Sequence, residues 1–117
     1  MKYLLLIYLD EAWDKLSVTA RQQVYMEQLQ LSEQLTSSGQ YLAGAPLQPP
    51  STATSVRVRD GKRLVTDGPF AETREQLGGY MLIDVKDRDE AIAIAARGAV
   101  ARAGTVEVRP VREGPPT

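Results

Sequence analysis

The sequence predicts an α+β fold in which an antiparallel sheet carries helices on one face. Two segments place apolar residues at helical spacing, and several short segments are apolar throughout or alternate, as strands do. A third observation is Asp60-Gly61 between two alternating runs, which is typical of a β-hairpin. Since 117 residues is the length of one domain, we predict a single domain over residues 1–112 and a flexible tail over 113–117.

The first strand is predicted over residues 2–9, and it is apolar on both of its faces. Leu5 and Ile7 lie on one side, and Leu6 and Tyr8 lie on the other. A strand with two apolar faces is covered by other structure on both sides.

The first helix is predicted over residues 20–38. A capping box that starts at Thr19 begins it, and Gly39 ends it because glycine readily adopts the left-handed conformation that follows a helix. The apolar residues of this helix fall within one wide arc, which indicates packing on the sheet. Its glutamines, Gln28 among them, are assigned to the solvent-facing side.

The later elements follow from turn residues and alternation. In chain order they are a short strand from residue 41, the hairpin, a strand over 79–85 that is apolar on both faces, a second helix, and a strand over 105–111. Asp87 caps the second helix, and Gly98 ends it early or bends it. We place all of these strands in one antiparallel sheet.

With right-handed crossovers, this order of elements gives a ferredoxin-like sandwich. Two helices cover only one face of its sheet, whereas two of its strands are apolar on both faces. We therefore expect a second copy of the chain to cover the open face, in a homodimer of the dimeric α/β-barrel type.

The composition excludes several kinds of site. The chain has no cysteine and no histidine, which excludes disulfides, thiol chemistry, histidine-based triads and ordinary zinc sites. A net charge of −1 gives no reason to expect nucleic acid or a membrane as a partner. The apolar N-terminal run is too short to span a bilayer, and acidic residues follow it directly, so we predict a cytoplasmic protein.

One acidic segment contains possible metal ligands. Asp10, Glu11 and Asp14 offer carboxylates that a magnesium ion could use, but such a trio in a loop is more often simply solvated. We predict no metal and no cofactor.

The segment after the hairpin, Asp67-Gly68-Pro69-Phe70, is predicted to be a structural motif. Asp67 suits a turn or a helix N-cap, Gly68 a positive φ, and Pro69 the first position of a helix. A short helix of about two turns follows in this interpretation, and Phe70 anchors it to the core. A catalytic role for Asp67 is the alternative.

The hairpin carries the densest group of positive charges. Arg59 lies opposite Lys62, with Arg57 two residues away, and like charges facing each other across a sheet are unfavourable. Solvent, carboxylates such as Glu107, or a small anionic ligand could relieve them.

A cleft between the open sheet face and the connector is the candidate site. Its predicted ligand-binding residues are Tyr8, Arg57, Arg59, Tyr80, Glu107 and Arg109, with Asp67 as the candidate catalytic group and Asp10 nearby. Without histidine, acid–base chemistry needs a carboxylate of raised pKa or an activated tyrosine. Asp67 is the carboxylate that we favour for this role.

The run "VRVRDGKRLVTDGPFAETREQLGGYMLIDV", residues 56–85, closely resembles the signature of the DGPF-domain family within the YCII-related group. The segments "MKYLLLIY", "LQPP" and "VEVRPV" are similar to it as well. The resemblance implies a dimeric ferredoxin-like protein, bacterial and mostly uncharacterised. Some members are encoded beside, or fused to, extracytoplasmic-function sigma factors, which implies a regulatory partner as one possibility.

The resemblance also implies a difference from the better-studied relatives, which look like small enzymes with a histidine–aspartate pair. This chain has Ala103 where members often have a histidine between the residues that match Arg102 and Gly104. We therefore favour a non-catalytic dimeric module that binds a small ligand or a partner such as a sigma-factor-related protein. The alternative is a small-molecule enzyme that uses Asp67 with a tyrosine–arginine pocket.

Overall fold

The computed structural model of the protein describes residues 1–116. Its strands and longer helices, in chain order, are β1 (Lys2–Leu9), α1 (Glu11–Lys15), α2 (Val18–Ser37), β2 (Tyr41–Pro46), β3 (Thr54–Arg59), β4 (Lys62–Asp67), β5 (Gln76–Asp84), α3 (Arg88–Arg97), α4 (Val100–Ala103) and β6 (Thr105–Pro110). Residues 113–116 of the predicted tail are exposed and contain no helix or strand. Residue 117 lies outside the described residues.

The main sheet has four strands in the order β2-β5-β1-β6, and every neighbouring pair is antiparallel. Its register places Leu4 of β1 between Leu82 of β5 and Arg109 of β6. Helix α2 joins β1 to β2, and α3 leads from β5 toward β6, so each crossover passes over one intervening strand. This is the ferredoxin-like arrangement, and the predicted antiparallel sheet with helices on one face is confirmed.

The core lies between the sheet and the helices. Tyr3, Leu5 and Ile7 of β1 are buried on this side, because alternate residues of a strand point to the same face. Leu35 of α2 and Ile83 of β5 are 1% and 0% exposed. Full burial of such a side chain contributes about 1.5–3 kcal/mol, so these contacts fix α2 on the sheet.

Helix α2 begins two residues earlier than the sequence predicts. Ser17 is its N-cap, and the Ser17 hydroxyl oxygen accepts a hydrogen bond from the Ala20 amide at 3.0 Å. The predicted capping box at Thr19 is wrong, because Thr19 already lies inside the helix. Gly39, with φ of 76°, follows the helix as predicted. Although α2 has 20 residues, no helix in residues 1–116 has both the length and the apolarity to cross a membrane.

Other helix ends depend on side chains that the sequence identifies only in part. Asp87 caps α3 as predicted, since its Oδ1 accepts a backbone hydrogen bond at 2.9 Å from the amide three residues on. Gly98 ends α3, and the short helix α4 follows. Helix α1 is absent from the prediction. Asp10 caps it by accepting a hydrogen bond from the Ala12 amide at 2.9 Å, so this carboxylate belongs to a helix start.

Strands β3 and β4 form a two-stranded sheet of their own, which we call the arm (Thr54–Asp67). Its register is the predicted one, with Arg59 opposite Lys62, and both turn residues, Asp60 and Gly61, have positive φ. The prediction of one continuous sheet is wrong, because the hairpin pairs only with itself. The Cα radius of gyration is 16.1 Å, above the ~13 Å of a compact chain of this length, so the arm extends away from the body.

The connector, residues 68–75, differs most from the prediction. It contains no helix, and Phe70 is 80% exposed, so the predicted short helix and the predicted anchor are both wrong. The Gln76 side-chain amide donates to the carbonyl oxygens of Ala71 and Thr73 and fixes an irregular path. A helix of two turns without a packed face is marginal in water. The residues of the connector that favour a helix start therefore do not produce a helix. Gly68 has the predicted positive φ, 95°.

Candidate functional site

Two concave regions lie on opposite sides of the main sheet. The first, which we call the cleft, lies at the end of the open sheet face beside the connector and has a volume of about 760 Å³. It is lined by Tyr8, Asp10, Thr73, Arg74, Glu75, Thr105 and Glu107. A cleft in this position is the one that the sequence analysis predicts.

Hydrogen bonds in and beside the cleft connect one group of three side chains and one separate pair. The Tyr8 hydroxyl donates to Glu107 Oε1 at 3.4 Å, and the other Glu107 oxygen accepts from the Arg109 guanidinium at 2.6 Å. This hydrogen bond and the negative charge of Glu107 raise the pKa of Arg109. On the connector side, Glu75 Oε1 accepts from the Thr105 hydroxyl at 3.1 Å. The phenol and one carboxylate are therefore held close together.

The charge of the cleft favours neutral polar or cationic ligands. Asp10, Glu75 and Glu107 provide three carboxylates, whereas Arg74 is the cation of the lining and Arg109 pairs with Glu107. No cluster of three or more possible metal-ligating residues occurs within residues 1–116. The cleft therefore offers hydrogen-bond acceptors but no built metal centre in the described chain.

The structure brings together only some of the predicted site residues. Tyr8 and Glu107 line the cleft, and Arg109 is bonded to Glu107. Asp67, Arg57 and Arg59 lie exposed on the arm and are not part of the cleft lining, and Tyr80 lines a different depression. In the part of the chain described here, no basic side chain of the arm forms an ion pair. The ligand-binding roles predicted for Arg57, Arg59 and Tyr80, and the catalytic role predicted for Asp67, stay predictions.

The second concave region, which we call the groove, lies on the helix-facing side of the sheet, between α2 and β2. Its volume is about 420 Å³. The lining residues are mostly apolar and include Ile7, Leu9, Trp13, Val24, Tyr25, Gln28, Leu29, Ser32, Tyr41, Pro46, Leu47, Tyr80, Met81 and Val100.

The groove exists because only part of α2 packs tightly on the sheet. Leu31 and Leu35, in its C-terminal half, are buried. Tyr25 and Leu29 remain 52% and 44% exposed although they belong to the apolar arc of the helix. The side of α2 that carries Tyr25 and Leu29 therefore forms a wall over the sheet rather than a sealed contact.

Two glycines leave the bottom of the groove free of side chains. A Cβ atom at Gly44 would lie 2.8 Å from both the Tyr41 hydroxyl and a strand carbonyl oxygen, and one at Gly79 would lie 3.1 Å from the Ala45 carbonyl oxygen. Real Cβ contacts are rarely so close, so a side chain at either position would displace the strands or fill the space.

A few polar groups lie among the apolar walls of the groove. The Ser32 hydroxyl donates to the Gln28 carbonyl oxygen at 3.1 Å. The side-chain oxygen Oε1 of Gln28 is inaccessible to solvent and has no hydrogen-bond donor within residues 1–116. The assignment of Gln28 to the solvent-facing side of the helix is therefore wrong. The signal for its burial is its spacing, four residues after Val24 and three before Leu31, which places it within the apolar arc.

Comparisons with known proteins agree with this fold. An uncharacterised protein of Rhizobium meliloti (strain 1021), R00369, is 36% identical over 117 residues, which cover 95% of this chain and 92% of that protein. Among solved structures, the 5-chloro-2-hydroxyhydroquinone dehydrochlorinase TftG of Burkholderia phenoliruptrix AC1100, in complex with 2,5-dihydroxybenzoquinone, has a TM-score of 0.56 at 14% identity. That match covers 97% of this chain and 96% of TftG, and at this identity it concerns the fold alone.

The family of the chain follows from a match that spans nearly all of it. A family model described as the YCII-related domain matches residues 1–114, and these residues include every strand and helix of the fold. Since the match covers far more than half of the chain and the R00369 relative agrees with it over almost the same length, the protein belongs to the family of YCII-related domains.

Proposed function

We propose that the protein is a dimeric, non-catalytic module that binds a small, mostly apolar ligand in the groove. The volume and the lining of the groove support this proposal. Ligand sites are typically concave, with a volume of roughly 300–1,000 Å³, apolar and aromatic walls and a few polar groups that orient the ligand. At about 420 Å³, with Trp13, Tyr25 and Tyr41 in its lining, the groove has these properties.

The unpaired Gln28 oxygen supports a ligand with a hydrogen-bond donor. Buried polar atoms are paired in the great majority of cases, because an unpaired one costs about 1–3 kcal/mol. Gln28 Oε1 has no donor among residues 1–116, and its side chain belongs to the groove lining. Oε1 lies on the side of Gly98, so a hydroxyl or amine group of a ligand in the groove would supply this donor once the Gln28 amide turns toward the groove.

Trp13 allows a direct binding experiment, because it is the only tryptophan in the chain and lines the groove. We expect its fluorescence to change saturably on titration with 1-anilinonaphthalene-8-sulfonate, an aromatic compound with one sulfonate group, and with 2,5-dihydroxybenzoquinone, the compound bound to TftG. Ser32→Leu should weaken binding at least tenfold, since a leucine side chain occupies the groove.

Thr36→Leu is the matched control, because the Thr36 hydroxyl donates to the Ser32 carbonyl oxygen at 2.8 Å, as Ser32 does to Gln28 at 3.1 Å. Thr36 lies one turn further on and is exposed outside the groove. Equal affinities of both variants and the wild type for both compounds would contradict the groove as a binding site.

The dimer is proposed from the open face of the main sheet. Leu4, Leu6 and Leu82 lie on this face, opposite the helices, and they are only half-buried. Two monomers that share this face would remove these side chains from water, with a gain of about 25 cal/mol per Å² of apolar surface. Light scattering at micromolar concentration is expected to give twice the monomer mass of 12.9 kDa. A stable monomer would contradict the dimer.

Catalysis in the cleft is the second candidate function, and the Tyr8–Glu107 hydrogen bond is the observation that favours it. A carboxylate beside a phenol could exchange a proton with a bound substrate. TftG is named for dehydrochlorination of 5-chloro-2-hydroxyhydroquinone, so release of chloride from that compound is the assay. Our first proposal expects no release. Chloride release that Tyr8→Phe abolishes would favour the enzyme instead.

A sigma-factor-related partner and a small anionic ligand remain further proposals. The names of the compared proteins mention no sigma factor. The exposed, unpaired cations Arg57 and Arg59 of the arm are where an anion could bind. A pull-down from the native host, with Arg57→Ala/Arg59→Ala as the control bait, tests the partner. Loss of a sigma factor from the control bait would support a contact through the arm, and its absence from both baits would oppose the partner.

A further inference from the structure

The arm has an apolar surface that no other part of residues 1–116 covers. Strand pairing places Val56 opposite Val65 and Val58 opposite Arg63, so the three valines share one face of the hairpin, which we call the valine face. Val56, Val58 and Val65 are 61%, 61% and 58% exposed. A two-stranded hairpin is marginally stable in water without further packing, so an exposed apolar face calls for a partner surface.

The arm is attached to the body at its base alone. The Ser55 hydroxyl donates to the Gly68 carbonyl oxygen at 2.8 Å, and the Gly68 amide donates to the Ala53 carbonyl oxygen at 2.7 Å. Beyond this base, no hydrogen bond or ion pair in residues 1–116 joins the arm to the main sheet or the helices. The valine face is therefore free to contact another molecule.

The open face of the main sheet offers a complementary surface. Its apolar strip is formed by Leu4, Leu6 and Leu82, and Glu107 lies directly beside Leu6 on the neighbouring strand. Arg63 shares the valine face of the arm. Asp67 shares the valine face as well, and Arg109, beside Leu4, is bonded to Glu107. Each surface is therefore an apolar strip with charged groups of both signs at its border.

The dimensions of the two surfaces also agree. Each arm strand has six residues, which gives a length of about 20 Å at roughly 3.4 Å per residue. The four-stranded sheet is about 14 Å wide between its outer strands at roughly 4.8 Å per strand. One arm is thus long enough to cross the whole sheet of another molecule.

We infer that the two copies of the dimer exchange arms, so that the valine face of each arm lies on the leucine strip of the other copy. The inference rests on the dimer proposed above and specifies which segments form it. Arg63 of each arm then lies at the Glu107 side of the partner's sheet, beside the cleft. The second copy therefore adds a positive charge to a cleft whose own lining contains one cation, Arg74.

Cysteine cross-linking tests the arm contact directly, because the chain contains no cysteine. Val58→Cys protein and Leu6→Cys protein, which carry different tags, are mixed and treated with a short bismaleimide. We expect a cross-linked product with both tags, at least ten times more abundant than from Arg57→Cys mixed with Leu6→Cys. Arg57 is the control because it is adjacent to Val58 but points to the opposite face of the arm.

The oligomeric state gives a second, independent measurement. Val58→Asp should raise the dissociation constant of the dimer at least tenfold, whereas Leu64→Asp, on the opposite face of the arm, should change it less than threefold. Circular dichroism confirms that both variants fold.

The outcomes separate this inference from the dimer itself. A monomeric wild type overturns both. A dimeric wild type in which Val58→Asp dimerises as tightly as Leu64→Asp, or in which both cysteine mixtures cross-link equally, overturns arm exchange and leaves the dimer standing.

Discussion

Replacing Leu35 with alanine tests how unevenly helix α2 packs on the sheet, and Leu29→Ala on the same helix is its matched control. The two changes remove the same atoms and alter helix propensity equally. Leu35 is 1% exposed in the core, whereas Leu29 is 44% exposed at the groove. Any difference between the two variants therefore reports burial.

The expected magnitudes follow from these exposures. Full burial of a leucine contributes about 2 kcal/mol, and the closed cavity left in a core raises the cost of Leu35→Ala to about 3–4 kcal/mol. Leu29 loses about half of the transfer term and leaves no closed cavity, since the groove is already open, which gives about 1 kcal/mol. The predicted difference is about 2–3 kcal/mol, or roughly 8–12 °C in Tm at about 4 °C per kcal/mol.

Urea unfolding followed by circular dichroism measures both values. The m-values should match that of the wild type, and two protein concentrations are needed because dissociation of a dimer makes stability depend on concentration. If Leu29→Ala costs as much as Leu35→Ala, the side of α2 that carries Leu29 is closely packed and the groove does not exist. Small and equal losses would show that Leu35 is not a core residue.

Three further substitutions test local features of the fold. Gly104→Ala should destabilise the protein by about 1–3 kcal/mol, because the new Cβ collides with the Tyr8 carbonyl oxygen; an unchanged Tm would contradict the close approach of β1 and β6. Ser17→Ala should cost about 1 kcal/mol and Thr19→Ala much less, and the reverse order in urea unfolding would restore the predicted capping box. Asp67→Asn should change stability by less than about 0.5 kcal/mol and leave groove binding intact, and a lost fluorescence response would instead support Asp67 as a site residue.

The arm shows which kind of prediction a sequence supports. Its register follows from Asp60-Gly61 and the alternation on either side, and both are properties of neighbouring residues. Its position relative to the main sheet depends on the segments that flank it, residues 47–53 and 68–75, and these contain no strand of the main sheet. No periodicity encodes that position, so the prediction of one sheet fails although each strand is correct.

The cleft is predictable in part for the same reason. Tyr8 and Glu107 point to the open face by the alternation of their own strands, and their proximity requires only that β1 and β6 be neighbours. The sequence analysis assigns Asp67 to the cleft only because this residue directly precedes the connector. The strand that ends at Asp67 belongs to the arm, and the connection carries this residue away from the sheet.

The groove has no counterpart in the sequence analysis, because it arises from a gap between elements. The apolar arc of α2 predicts uniform packing, but only Leu31 and Leu35 reach the core. Gly44 and Gly79 leave open the space below the rest of the helix, and their consequence is visible only once two strands and a helix are placed together.

The sequence by itself determined the order of the six strands and of the two longest helices, the turn of the hairpin, the cap at Asp87 and the absence of histidine and cysteine chemistry. These features depend on residue type and on contacts between near neighbours. Tertiary structure alone decided that the arm leaves the sheet, that Phe70 is exposed, and that α2 encloses a groove. Each of these depends on how distant segments compete for the same apolar surface, and that competition is settled only when the whole chain packs.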